Sequence, residues 1–226
     1  MSNESDRAKR SRLALVGMSG SGKTFWTRKL AAAGWKAVSC DDLIEKRLAP
    51  RLAAGGYAGI NGVAAWMGWP DSPTYAEREA EYLAEEIAVV DEYLSALEAD
   101  ASGKPVVLDT TGSVIYAQNN ILMRLRRQMT VVHLASTEHE QQLLVSRYLN
   151  DPKPVLWRGT FHVKDQEAPR ETVARCYPML IAARKRSYEM LAHCSVQMTE
   201  VRATGADGAG ELERFLQKIE EQVKGA

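Results

Sequence analysis

The run "LALVGMSGSGKTFWTRKL", from Leu13 to Leu30, limits what this chain can fold into more than any other part of it. An apolar, strand-like stretch enters it and an amphipathic, helix-like stretch leaves it, with Gly17, Gly20 and Gly22 between. Glycine there costs conformational entropy and adds nothing to a core, so its use implies a backbone that must stay bare. Gly17, Gly22, Lys23 and Thr24 fit G-x-x-x-x-G-K-[ST], the phosphate-binding loop. In such a loop the backbone N–H groups of Gly17, Ser19, Gly20, Ser21 and Gly22 turn inward around phosphates. The helix behind adds its positive end. Lys23 is then expected to reach the β- and γ-phosphates, and the Thr24 hydroxyl to ligate Mg²⁺. ATP and Mg²⁺ are the cofactors this pattern implies.

A second element is needed, an acid at the end of a neighbouring strand to hold the metal or its waters. "VVLDTTG" supplies Asp109 after three apolar residues. A capping or turn-starting aspartate is the plainer reading of the same residue. Asp41 and Asp42, closing "KAVSCDD", are rival acids. With Asp41 and Asp109 at adjacent strand ends, one would serve the metal. The other would serve an acceptor hydroxyl as base or orienter. The sequence does not divide these roles.

Strand-like and helix-like stretches alternate along the rest of the chain. "RLALVG", "KAVSCDD", "KPVVLDTTG", "MTVVHLAS" and "CSVQMTEV" read as strands. "KTFWTRKLAAAG" reads as a helix stopped by Gly34, and "LIEKRLAPRLA" as one broken by Pro50. "AAGGYAGINGVAAWMGWPDSP" reads as irregular. Tyr75 to Ala99 forms a long helical pattern with Tyr82, Ile87, Val90, Leu94 and Leu97 on or near one face, and "GELERFLQKIEEQV" closes the chain as a helix. The alternation predicts an α/β fold, a parallel sheet of about five strands covered by helices on both faces in three layers. The expected organisation is a disordered tail over residues 1–12 and one domain over 13–226. Within the domain, about 50–75 form an acceptor-side segment and about 148–170 a lid.

At 226 residues, with 45% apolar and 26% charged residues, the composition is that of an ordinary globular domain. Lys and Arg total 29 and Asp and Glu total 29, a balance that points away from a general nucleic-acid binder. The three cysteines, Cys40, Cys176 and Cys194, lie far apart without metal-ligand spacing, as free thiols of a reducing compartment would. The opening "MSNESDRAKRSR" lacks the apolar run of a secretory signal, and no stretch approaches the roughly 20 apolar residues of a membrane span. A cytoplasmic protein with a small-molecule partner, no membrane and no nucleic acid is expected, with a monomer favoured.

Arg147, Lys153 and Arg158, around "NDPKPVLWRG", could close over the nucleotide and neutralise charge; an ordinary solvated basic loop is the alternative. Trp66 and Trp69 read first as a small hydrophobic cluster pinning an irregular segment, and second as a wall of the acceptor pocket. His133, His139, His162 and His193 show no metal spacing, and His133 within a strand is structural on this reading.

Taken in order, these pieces resemble the shikimate kinases, from about Leu13 to Val201. "LVGMSGSGKTFWTRKLA" looks like the family's first strand and loop, and "SCDDLIEKRL" like its D-x-D-x-x-I-E segment. "TYAEREAEYL" is similar to its F-R-x-x-E-x-x-x-L helix, and "VVLDTTGSVI" sits where the family has a strand and a triple glycine. "SRYLNDPKPVLWRG" resembles its lid, and "ARKRSYEMLAHCSV" its late R-x-x-x-Y-x-x-x-A helix and strand. The resemblance implies a small-molecule kinase fold, with Asp41 on the acceptor hydroxyls and Arg184 on the acceptor carboxylate. Thr110, Thr111 and Gly112 then stand at the glycine run. Three departures fall on the acceptor side: Ser39 replaces the first acid of D-x-D, Ala76 replaces the arginine of F-R, and "TTG" replaces the triple glycine. Arg78 lies about 200° round the helix from Ala76 and is a poor direct replacement. Asp109 is read as supplying the missing charge from the next strand.

The reading is therefore an ATP-dependent phosphotransferase for a small hydroxylated, anionic metabolite, shikimate being the first candidate. The alternatives are a nucleoside or nucleotide kinase, or a regulatory protein that binds ATP without transferring phosphate.

Overall fold

A computed structural model describes residues 11–201 and 210–225; of the tail expected over residues 1–12, residues 1–10 lie outside them, and Arg12 already belongs to the first strand. Five short apolar runs form strands β1 (Arg12–Val16), β2 (Lys36–Ser39), β3 (Val106–Asp109), β4 (Thr130–Ala135) and β5 (Cys194–Gln197). They make one sheet in the order β2-β3-β1-β4-β5, with every neighbouring pair parallel. Successive side chains of a strand point to opposite faces, so a parallel sheet needs cover on both. Leu13 and Leu15 of β1 pack with Val107, Val132, Leu134 and Val196 on one face. Ala14 and Val16 pack with Val106, Leu108 and Val131 on the other.

Nine α-helices lie among the described residues: α1 (Lys23–Ala32), α2 (Cys40–Ala54), α3 (Gly59–Met67), α4 (Tyr75–Ala99), α5 (Asn119–Gln128), α6 (Glu138–Asn150), α7 (Pro169–Leu191), α8 (Met198–Val201) and α9 (Glu211–Lys224). Local chemistry sets several ends. Gly34 leaves α1 with φ 91°. Thr137 and Glu140 exchange hydrogen bonds in a capping box that opens α6. Pro169 occupies the first turn of α7, where its missing N–H is harmless. Helices α1 and α9 cover the first face through Trp26, Leu30, Phe215 and Ile219. Helices α2 to α7 cover the second.

Four expectations need correction. Strand β2 stops at Ser39, because the Ser39 hydroxyl accepts from the Asp42 N–H and starts α2 there, placing both acids in a first helical turn. Pro50 does not break α2, which runs on to Ala54. Pro50 and Lys46 are both exposed, so the carbonyl that loses its partner to the proline can bond water. The stretch expected to be irregular contains α3, whose Val63, Trp66 and Met67 are buried. The last strand ends at Gln197, and Met198 to Val201 form a helical turn.

The order of the sheet decides where a ligand can sit. From β1 the chain crosses to β2 on one side of it, and from β3 to β4 on the other. The connections therefore part at the carboxyl ends of β1 and β3 and leave a crevice. Attachment of α9 rests on Trp26, fully buried and stacked on Phe215 with ring centroids 4.1 Å apart. Trp26→Ala is expected to lower the unfolding free energy by about 3–5 kcal/mol, measured by denaturant titration.

Candidate active site

The loop after β1 turns through left-handed backbone, with φ of 146° at Gly17, 80° at Gly20 and 102° at Gly22, the residue that caps α1. A Cβ at Gly17 would stand 3.0 Å from both the Leu134 carbonyl oxygen and Ser21 Oγ, so only glycine fits. The Lys23 ammonium is buried and donates to the carbonyls of Gly17, at 2.9 Å, and Met18, at 3.0 Å. Its third proton is left for a ligand. Burial lowers the Lys23 pKa, with Asp109 and Asp41 opposing that shift. Ser21 Oγ is buried with no protein partner. Left-handed glycines, a buried ammonium and an unpartnered hydroxyl fit a polyanion such as a nucleotide phosphate chain.

Beside the loop, Thr24 Oγ1 donates to Asp109 Oδ2 at 2.8 Å, while Asp109 Oδ1 is buried without a partner. Burial raises the Asp109 carboxyl, against the Lys23 charge and the Thr24 hydrogen bond. One hydroxyl and one orphaned carboxylate oxygen fit a hard cation such as Mg²⁺. Among the described residues no group of three or more His, Cys, Asp and Glu could hold a metal. A cation here would be shared with phosphate oxygens. Asp109 stands in register with Ser39 of β2, so the carboxylate on β3 lies across from the serine that heads α2. Two residues on, in the first turn of α2, Asp41 Oδ1 accepts from the Tyr82 hydroxyl at 3.3 Å. Burial pushes the Asp41 carboxyl up to about 6, with Lys23 opposing and Asp109 adding to the shift.

Lys23, Thr24, Asp41, Tyr82 and Asp109 line one cleft of about 560 Å³, together with Ser19, Gly20, Ser39, Thr111, Gly112, Lys153 and Arg184; Gly17, Ser21 and Gly22 of the loop lie behind its surface. Thr110 does not line it: its hydroxyl is buried and donates to the Leu15 carbonyl at 2.8 Å, tying β3 to β1. Arg184, only 2% exposed, donates from Nη1 to the Gly112 carbonyl at 2.8 Å and from Nη2 to the Leu156 carbonyl at 2.6 Å. Its Nε donates to the Tyr116 hydroxyl at 3.3 Å. A further side-chain hydrogen bond joins it to Tyr188, so most of its donors brace the protein while the guanidinium still lines the cleft. Arg147 lies outside the cleft and donates to the Gly20 carbonyl at 3.4 Å, above the loop. Arg78 donates to the Trp66 carbonyl and sits over that ring, so it replaces nothing at Ala76.

The segment expected to be a lid is irregular between α6 and α7, and it is anchored. The Tyr75 hydroxyl donates to the Val155 carbonyl at 2.9 Å and accepts from the Trp157 N–H at 3.0 Å. Trp157 is buried among Trp69, Tyr148, Phe161 and Tyr177. Lys153 donates to Asn61 Oδ1 of α3 at 2.6 Å, and Arg158 lies over the Tyr116 ring. Trp66 and Trp69 are therefore cluster residues; neither lines the main cleft. His133 stacks on Tyr188 and is held neutral by burial, with its pKa lowered to about 4, in keeping with a structural role.

The family model of an AAA domain matches residues 13–146, more than half of the chain. The chain belongs to the AAA-domain family. No curated protein matches this AAA domain in sequence. Among solved structures it is similar to a shikimate kinase from Acinetobacter baumannii in complex with shikimate, at 23% identity and a TM-score of 0.61. That match covers 96% of this chain and 97% of the other. Shikimate kinases from Bacteroides thetaiotaomicron (18% identity, TM-score 0.56, 94% and 98% covered) and Aquifex aeolicus (16%, 0.53, 95% and 96%) are similar too. At these identities the likeness is one of fold, and this AAA domain has the P-loop fold of the shikimate kinases. No described helix is long and apolar enough to cross a membrane.

Sequence reasoning missed Tyr82, Glu86 and Ser113. Glu86 was visible as a carboxylate four residues after Tyr82 on the apolar face of α4, a position where a charge is costly. The shared approach of Gly112 to both halves of the site was not visible. A Cβ there would stand 3.3 Å from Arg184 Nη1 and 3.4 Å from the Ser19 N–H nitrogen. Gly112→Ala is expected to cost about 1–3 kcal/mol of stability by thermal unfolding and to weaken binding of an ATP analogue in calorimetry.

Proposed function

We propose that this AAA domain is an ATP- and Mg²⁺-dependent phosphotransferase acting on a hydroxyl of a small anionic metabolite, with shikimate the first acceptor to try. The observation that carries the reading is the convergence of Lys23, the Thr24–Asp109 pair and the Asp41–Tyr82 pair in one cleft. A phosphate chain alone would need only the loop; a second carboxylate, separately held and with its pKa raised, is what an acceptor hydroxyl needs.

Each residue has a role in this reading. The loop N–H groups and Lys23 hold the phosphates, and Arg147 braces the loop from above. Thr24 and Asp109 would hold Mg²⁺, which when bound neutralises charge on the phosphate oxygens. Asp41 would accept the proton of the acceptor hydroxyl as its oxygen bonds the terminal phosphorus of ATP and the bond from that phosphorus to the bridging oxygen breaks, releasing ADP; Tyr82 fixes the carboxylate. The Arg184 guanidinium, lining the cleft with Thr111, supplies a positive charge to an anionic group on the acceptor. Lys153, between α3 and the cleft, closes the site against water.

A base must be ionised to act. With Asp41 at about 6, kcat/KM is expected to be level at neutral pH and to fall about tenfold per unit well below 6. Asp41→Asn should remove that limb and lower kcat by about 10²- to 10⁴-fold. Coupled ADP release with shikimate, then with a panel of hydroxy acids, sugars and nucleosides, measures both, and Lys23→Ala is the control that loses ATP binding. Turnover with nucleosides alone would replace the acceptor class. ATP binding that depends on Lys23, without turnover of any acceptor, would replace the enzyme by a nucleotide-binding regulator.

A further inference from the structure

Behind the cleft wall lies a carboxyl group with no role in the chemistry above. Glu86 of α4 is 0% exposed. Its Oε1 is 3.1 Å from Ser113 Oγ, and its Oε2 is buried without a partner. Ser113 Oγ is in turn 3.2 Å from Thr111 Oγ1, and the Ser113 N–H donates to the same Thr111 oxygen at 3.2 Å. Thr111 lines the cleft. Three side chains thus form one relay from the core to the acceptor site. The titratable groups facing Glu86 are Cys40 and Asp41 of α2, Tyr82 of its own helix, and Arg184 and Tyr188 of α7. The bonds made by Arg184 go to Gly112, Leu156, Tyr116 and Tyr188, and it acts on Glu86 through space.

The direction of such a relay is set at its buried end. An ionised Glu86 only accepts, so Ser113 would donate to it, Thr111 would donate to Ser113, and the cleft would see only a lone pair. A neutral Glu86 has one proton to place. On Oε2 it would be a buried donor with no partner; on Oε1 it bonds Ser113. Ser113 then donates to Thr111, and the proton of Thr111 is free to point into the cleft. Full burial, one orphaned oxygen and the absence of a direct cation contact all favour the neutral acid. Burial raises its pKa to about 8, in the same direction, with Ser113 opposing and Asp41 adding.

We propose that Glu86 is a positioning residue: as a neutral acid it orients Ser113 so that Thr111 offers the acceptor a hydrogen-bond donor. The proposal rests on the phosphotransferase reading for its consequence, an affinity for an acceptor oxygen that only accepts, such as a carboxylate. It predicts that this affinity is lost in alkali, when Glu86 ionises and the relay reverses.

Two measurements test it. In the first, shikimate KM and kcat are followed from pH 7 to 9.5. Thr111→Val and Ser113→Ala should raise KM about three- to tenfold at pH 7, the scale of one hydrogen bond, with a smaller change in kcat. Glu86→Leu should do the same, and Glu86→Gln, which donates as the neutral acid does, should restore KM. The wild-type KM should climb above pH 8 while that of Glu86→Gln stays level. A level wild-type KM, or a glutamine variant as impaired as the leucine one, would overturn the proposal. In the second, carbon-13 NMR of the glutamate-labelled full chain follows the Glu86 carboxyl without any substrate. It should be neutral at pH 7, and both Ser113→Ala and Thr111→Val should move its titration upward. A charged carboxyl at pH 7, or a titration indifferent to Thr111→Val, would overturn the relay. If neither shikimate nor any acceptor of the panel is turned over, the phosphotransferase reading falls, and the carboxyl titration still decides the relay.

Discussion

A buried ammonium organises this molecule. Lys23 lies under the loop at the carboxyl ends of the sheet, with 7% of its surface exposed. A lone charge there would be costly. It is held because two loop carbonyls turn toward it and because Asp109 and Asp41 stand near enough to offset the loss of water. Those carbonyls can turn only because glycine takes left-handed backbone on either side of them. The acids stand there only because β3 ends beside β1 and the head of α2 lies across from the end of β3. The order of the sheet, the bare loop and the placing of the carboxylates are therefore one requirement seen at three scales.

The loop side of the candidate site was legible in the sequence, and the side carrying Asp41 and Arg184 only in outline. A phosphate loop is a local pattern: Gly17 through Thr24 carry their own geometry, with a strand before and a helix after. Asp109 was legible because an apolar run ending in an acid is also a local pattern. Glu86 was not, because its meaning depends on Ser113, twenty-seven positions away and on another element. Arg184 lines the cleft, yet two of its bonds go to backbone carbonyls that no motif names. Thr110 and Thr111 are neighbours in "DTTGS", just past the end of β3, and one hydroxyl bonds the Leu15 carbonyl of β1 while the other residue lines the cleft. Pro50 misled for a different reason: exposure on the last turn removes most of its cost.

The departures at Ser39 and Asp109 become one arrangement in the structure. Ser39 gives up a carboxylate and takes on the capping of α2, while the residue across from it in the ladder carries the charge. A serine hydroxyl satisfies a helix N-terminus as well as an aspartate would, without bringing a further negative charge beside Asp41. Asp41, Asp42 and Asp109 already crowd this corner, and the upward shifts of Asp41 and Asp109 reflect that crowding together with burial.

The Tyr75 hydroxyl has a consequence for the chain that joins α6 to α7. Residues 151–168 would otherwise form a single long connection, whose ends could be joined in very many ways. By gripping both the Val155 carbonyl and the Trp157 N–H, one phenol divides it into a short leader and a longer trailing arc. Chain entropy depends on the length between fixed points, so each part samples far fewer shapes than the whole would. Lys153 sits in the leader, two residues from the grip. Its reach toward the cleft is therefore set by a tether rather than by a search.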